Sequence, residues 1–293
     1  MEYYGRKLNA YKANLHTHTT NSDGKFTPEE IIRRYAEAGY DVLAFTDHST
    51  ANPVSTYDGR GMTLISGMEM HPTGPRDIRW HLLALNTPED FSYDLEKPAQ
   101  EAVDAANAAG GMVFCAHPYW CGFTSAEIMT LKGLTGLEVY NASTRFIGKE
   151  FNMVHWDELL DAGYDYPAIA VDDIHSHYCF GFGWTYILAE NKDLASIINA
   201  LKNGDYYSST GPEIKKLSIE NNIFEAEFSP CTKVVIYSAK NRGGTPSRDA
   251  FLETQEMTSC RMDVSRFAPG YIRLQITDKD GKIAWSNPIR LDK

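Results

Sequence analysis

The chain predicts a parallel α/β architecture, barrel-like, over residues 1–211, followed by a small β-sandwich-like domain over 212–293. Three observations predict it. Short apolar runs alternate with helical patterns through the first two thirds of the chain, the arrangement of strands crossed by helices. After Thr210-Gly211-Pro212 the pattern turns to strands alone. Clusters of histidine and acid stand directly behind the apolar runs, and in a parallel barrel the carboxyl ends of the strands share one face.

The first helix is the clearest element. Thr27 and Glu30 form a Thr-x-x-Glu capping box, Pro28 suits the first helical position, and Ile31, Ile32, Tyr35 and Ala36 share one face before Gly39. The strand-like run Val42–Phe45 follows. Similar runs fall at 13–15, 63–65, 82–85, 112–115, 137–139, 168–171 and 184–188, and helical patterns at about 98–109, 152–162 and 193–203. Beyond Pro212 the strand-like segments are 215–220, 223–229, 233–238 and 271–277, with Asn221-Asn222 and Asp280-Gly281 as turns. Arg242-Gly243-Gly244 reads as a plain turn.

Length and composition narrow the function. The chain has 293 residues, 43% hydrophobic and 23% charged, enough for a sizeable core and unlike a disordered protein. Net charge is −11, which opposes binding along a long polyanion but not capture of a small anion by a metal site. No apolar run approaches the roughly 18–20 residues that span a bilayer. The start, MEYYGRKLNAYKANLH, shows no secretion signal, and five scattered cysteines (115, 121, 179, 231, 260) have no CxxC spacing. Those features fit reduced thiols in a cytoplasmic protein.

The chemistry lies in His16-Thr-His18, Asp23-Gly24, Thr46-Asp47-His48, Glu69, His81, His117-Pro118 and Asp172-Asp173-Ile174-His175. His16 and His18 are two residues apart, so in a strand they share a face, as do Asp173 and His175. Imidazoles and carboxylates without thiolates suit zinc, manganese or iron. Six such elements buried at strand ends would be costly without partners, and a multinuclear metal site supplies them.

These motifs, in order HTH at 16–18, SDG at 22–24, TDH at 46–48, Glu69, His81, HP at 117–118 and DxH at 173–175, resemble the PHP (polymerase and histidinol phosphatase) domain family over roughly residues 8–211. The resemblance implies a distorted (β/α)7 barrel with two or three divalent ions and phosphate-ester hydrolysis. It implies that His16, His18, Glu69 and Asp173 hold one ion, that Glu69 bridges to a second completed by His81 and His117, and that Asp23, His48 and His175 hold a third. Many members have histidine in place of Asp23. Asp172 is the alternative to Asp173, and the DxH spacing favours Asp173. The branch that shares HxH, SDG and TDH usually carries a helical insertion between the positions of His81 and His117, which this chain lacks.

The expected activity is therefore that of a metal-dependent phosphoesterase, cytoplasmic, acting on a small phosphorylated substrate and independent of membranes and long nucleic acid. A hydroxide bridging the first two ions attacks phosphorus, with Glu69 and Asp173 beside it and Asp173 accepting its proton. The third ion or His177 serves the leaving alkoxide. Arg145, after the strand at 137–139, is a candidate for gripping phosphate. His71 is a weaker candidate, His155 reads as packing, and the run Phe180-Gly181-Phe182-Gly183-Trp184 reads as core or as a pocket wall. The alternatives are an exonuclease on short oligonucleotides and a non-catalytic metal-binding module.

Overall fold

The computed structural model describes residues 1–246 and 256–291. The first helix spans Pro28–Glu37. Thr27 accepts from the Glu30 amide while the Glu30 carboxylate accepts from the Thr27 amide, and Gly39 ends the run at φ +75°. Its buried face is Ile31, Ile32 and Tyr35. The remaining longer helices, Ala99–Ala108, Met153–Asp161 and Leu194–Asn203, fall where the periodicity places them.

The strands form three hydrogen-bonded sheets. The first has five strands in the order Ala168–Val171, Gly136–Asn141, Met112–Cys115, Leu82–Leu85 and Gly67–Met70. The second has ten. It runs from Thr63–Ile65 through Val42–Ala44, Asn9–Asn14, Trp184–Ala189 and Tyr206–Ser209 into Ile283–Ser286, Gly270–Thr277, Lys233–Ser238 and Gly243–Gly244, with Ile289–Leu291 beside Gly270–Thr277. The third joins Met257–Asp263, Ile223–Cys231, Ile214–Glu220, Glu2–Tyr3 and Arg6–Lys7.

Pairing is mixed rather than parallel throughout. Asn9–Asn14, Val42–Ala44 and Thr63–Ile65 are parallel, as are the three strands from Met112–Cys115 to Ala168–Val171. Gly67–Met70 and Leu82–Leu85 pair antiparallel, because the link between them carries only the 3-10 turn Pro75–Asp77 and a parallel crossover needs a dozen or more residues. Among the described residues no ladder closes the first two sheets into one barrel. They are stitched at the ends that carry the histidines, by isolated bridges Thr17–Ile174 and His48–Glu69.

The faces between these sheets bury Leu15, Val42, Ala44 and Ile65 with Leu83, Phe114, Ile169 and Val171, each large side chain contributing roughly 1.5–3 kcal/mol. A separate core packs Leu217, Phe224 and Phe228 against Val234, Ile236, Leu274 and Ile276. That region contains no α-helix among its described residues, and its first hairpin turns at Asn221-Asn222 with both φ positive, as a two-residue type I′ turn requires. Gly243–Gly244, read as a turn from sequence, pairs with Ile236-Tyr237 as a short strand. Arg273, whose side chain is fully buried, joins the strand Gly270–Thr277 to the helix Met153–Asp161. It makes a bidentate pair with Asp157 at 2.7 and 3.0 Å and lies against the Trp156 and Tyr237 rings.

Candidate metal centre

Backbone geometry aims the polar groups inward. Asn9–Asn14 carries the chain directly into His16 and His18, whose rings are fully buried. Gly24, of the SDG turn, sits where a Cβ would lie 2.4 Å from the His18 carbonyl oxygen, so only glycine lets this turn close. Asp172 points away from its neighbour. It accepts from the Tyr35 hydroxyl and from the amides of Gly181, Phe182 and Gly183, at 2.7–3.1 Å. The next residue, Asp173, adopts φ +50°, a region costly for a residue with a Cβ, and thereby turns its carboxylate toward the histidines.

The convergence is close. His16 Nε2 and His18 Nε2 are 2.9 Å apart, and Asp173 Oδ1 lies 3.2 and 3.1 Å from them. Glu69 sits between groups. Its Oε2 is 3.6 and 3.5 Å from His16 and His18, and its Oε1 is 2.8 Å from His81 Nδ1 and 3.3 Å from His117 Nε2. Asp23 Oδ1 is 3.4 Å from both His48 Nε2 and His175 Nε2 and 3.9 Å from His18 Nδ1. All nine residues expected as ligands from the sequence thus meet at one place.

The donor set fits cations. Ligands about 2.0–2.2 Å from one ion lie about 3–3.5 Å from each other, the spacing seen here. Four buried atoms at the centre, His18 Nδ1, His48 Nδ1, Glu69 Oε2 and Asp173 Oδ1, have no hydrogen-bond partner, although His48 Nδ1 and Glu69 Oε2 approach to 2.8 Å. Donor atoms that face one another without hydrogen-bond directionality are arranged for a third body. The charges agree. Burial opposes ionisation of Glu69 and Asp173, yet His16 and the neighbouring imidazoles hold both well below the usual carboxylate range. Burial also opposes a charged His16, but Asp173, Glu138 and Glu69 lift it to about 10, whereas burial takes His18 down to about 4. The carboxylates thus favour positive charge at the centre, and His16 and His117 are both raised by the acidic groups around them.

A family model for the PHP domain matches residues 14–181, more than half of the chain. The chain belongs to the PHP domain family. A two-domain Bacteroides vulgatus protein described as containing a predicted PHP-like metal-dependent phosphoesterase shares the fold, with TM-score 0.56 at 15% identity over 96% of each chain. An Escherichia coli 5'-3' exoribonuclease, Rnm, is 36% identical over 78 residues, which are 25% of this chain and 26% of the relative. The chain therefore spans about a quarter of that protein's length. An uncharacterised Methanocaldococcus jannaschii protein is 30% identical over 151 residues, 46% of this chain and 84% of the relative.

Within this PHP domain the weaker sequence candidates separate. His71 joins the cluster, its Nε2 3.4 Å from Glu69 Oε2. His177 is exposed and stacks on Tyr178, with ring centroids 3.9 Å apart. Arg145 donates to the Tyr178 carbonyl and lies 3.4 Å above the Phe182 ring, and it does not line the central cavity. His155 bonds the Phe123 carbonyl oxygen. Phe180 packs on Tyr35, and Trp184 packs near Tyr186 beneath Lys12.

Sequence reading missed Glu138. Fully buried, it contacts His16 Nδ1 through Oε1 at 2.6 Å and accepts from the His117 amide and Asn141 Nδ2 through Oε2, both at 2.8 Å. A carboxylate between Leu137 and Val139, inside an otherwise apolar run, was the available signal. Trp120 was missed too. It stands edge-on to His81 and His117 at 5.4 and 5.1 Å and walls a cavity of about 270 Å³ lined by seven of the nine cluster residues, all but His16 and His18.

Proposed function

We propose that the chain is a metal-dependent phosphoesterase that cleaves a small phosphate ester at this centre, with two or three ions of zinc, manganese or iron. His16, His18, Glu69 and Asp173 would hold the first, Glu69, His81 and His117 the second, and Asp23, His48 and His175 the third. The observation that carries the reading is the meeting of nine donors around buried atoms that have no hydrogen-bond partner among them. Bound ions would neutralise phosphate oxygens and acidify water. The chain's own part is to fix the donors. Glu138 holds the His16 ring, and Asn141 Nδ2 lies 3.1 Å from Asp173 Oδ2, leaving Oδ1 turned toward His16 and His18. Ser143 and Thr144 line the cavity, and the Thr144 hydroxyl is held by the Asn141 and Lys149 carbonyls. Arg145 would reach substrate only by leaving Phe182, and His177 only by leaving Tyr178.

A second reading, cleavage at the end of a short oligonucleotide, is favoured by the exposed aromatic rim. Trp120 walls the cavity, and Tyr119, Phe146 and Tyr178 are exposed nearby in the chain and in the loops beside it; such rings stack on bases. Phosphate release from a monoester panel, run beside mononucleotide release from a short oligomer, separates the readings. Glu69→Gln should abolish whichever activity is found, and a fully active variant overturns the proposal.

A further inference from the structure

His71 lies outside the nine-residue pattern, yet its ring reaches the same carboxylate. It follows Glu69 by two residues off the end of Gly67–Met70, so both side chains leave the same face. Its backbone is held on three sides. The amide donates to the Tyr93 hydroxyl at 2.6 Å, the carbonyl accepts from Arg79 Nη1 at 2.9 Å, and Pro72 keeps the residue before it extended. The ring is mostly buried, at 15% exposure, and stands between His48 and His81 with centroids 4.6 and 4.3 Å away.

Two ring nitrogens and both oxygens of one carboxylate converge at this spot. His71 Nε2 is 3.2 Å from His81 Nδ1 and 3.4 Å from Glu69 Oε2, while His81 Nδ1 is also 2.8 Å from Glu69 Oε1. One ring nitrogen carries at most one proton, so His81 Nδ1 can serve Glu69 or His71 but not both. Glu69 Oε2 has no hydrogen-bond partner. The two ring nitrogens, 3.2 Å apart, each face a different oxygen of Glu69, His81 Nδ1 at 2.8 Å from Oε1 and His71 Nε2 at 3.4 Å from Oε2, spacings that suit donors gathered around one ion.

We propose that His71 gives its Nε2 to a divalent cation held together with Glu69 and His81. The inference rests on the metal-dependent reading of this centre and adds a donor to it. The added imidazole raises the nitrogen share of that position, which favours zinc over manganese or magnesium.

The test uses the full chain stripped by chelator and titrated with Zn²⁺ or Mn²⁺ against a chromophoric competitor, as wild type, His71→Ala and His71→Gln. Both variants should bind one class of Zn²⁺ about tenfold or more weakly, lose less affinity for Mn²⁺, and show an altered visible absorption when loaded with Co²⁺. Zn²⁺ isotherms and Co²⁺ spectra superposable on wild type overturn the inference. A measurement on the unmutated chain guards against misfolded variants: with histidine labelled by ¹⁵N, the His71 Nε2 resonance should move as Zn²⁺ is added. A resonance that stays in place while other ring nitrogens move makes His71 a hydrogen-bonded rim residue only. If wild type binds no metal at all, the reading of the whole centre fails with it.

Discussion

Glu138 Oε1 lies 2.6 Å from His16 Nδ1, in the interior of a strand that contributes no other acid to the centre. The contact holds the His16 ring by its far nitrogen, so Nε2 is the atom presented to His18 and Asp173. Through Oε2 the same carboxylate receives the His117 amide, at a residue whose φ is +24°. One side chain thereby steadies two separate groups of the centre.

Glu138→Gln should keep the fold and weaken metal binding about 10–100-fold, the usual consequence of losing a carboxylate behind a ligating histidine. Equilibrium metal titration beside a circular dichroism spectrum checks this. Unchanged affinity would show that Glu138 serves the strand and not the centre.

Asp172 answers to a different prediction. Its two oxygens receive four donors, three of them backbone amides of 181–183. Asn at this position offers one acceptor oxygen and turns an NH₂ toward amides that also donate. Asp172→Asn should cost about 1–3 kcal/mol per donor left unpaired, visible as a lower urea midpoint.

Removing the counter-charge of Arg273 should be more damaging. Its side chain has no exposure and Asp157 is its ion-pair partner. Asp157→Asn leaves a buried cation uncompensated, and breaking such a pair costs roughly 3–5 kcal/mol. Calorimetry reads the effect.

Acid stability has a localised contribution at Glu127. Hydrogen bonds from Arg76, together with the Thr124 amide of its capping box, take the carboxyl from 4.5 to about 2. A depressed acid adds stability in full above its unfolded value and loses it as pH falls through the folded one, so the window is pH 4.5 to 2. Glu127→Gln should flatten the pH dependence of unfolding in that window and leave it unaltered near neutrality.

The sequence made the donors of the centre legible because most of them follow a strand-like run, and the chain has little other use for histidine in such places. The choice of Asp173 over Asp172 was legible from DxH spacing alone, and the four donors around Asp172 supply its physical reason. Glu138 was hidden because periodicity reads a strand by its apolar majority, Leu137 and Val139. His177 stands apart from His175 for the opposite reason. Spacing of two from His175 assumes a continued strand, whereas the chain turns into the 3-10 helix His177–Cys179. The mixed pairing of the sheets was illegible because antiparallel neighbours such as Leu82–Leu85 and Met112–Cys115 are also separated by a helix, Ala99–Ala108.

The pairing of Glu2-Tyr3 with Lys216-Leu217 bears on the order in which the molecule can be assembled. A ribosome delivers Glu2-Tyr3 more than two hundred positions ahead of the strand they join, so this segment must wait with that edge unsatisfied. Tyr206–Ser209 likewise waits for Ile283–Ser286, more than seventy positions later. Contacts so distant in sequence close late and slowly. A nascent chain halted at residue 211 would carry every donor of the centre and still lack the strand that completes the sheet beneath it.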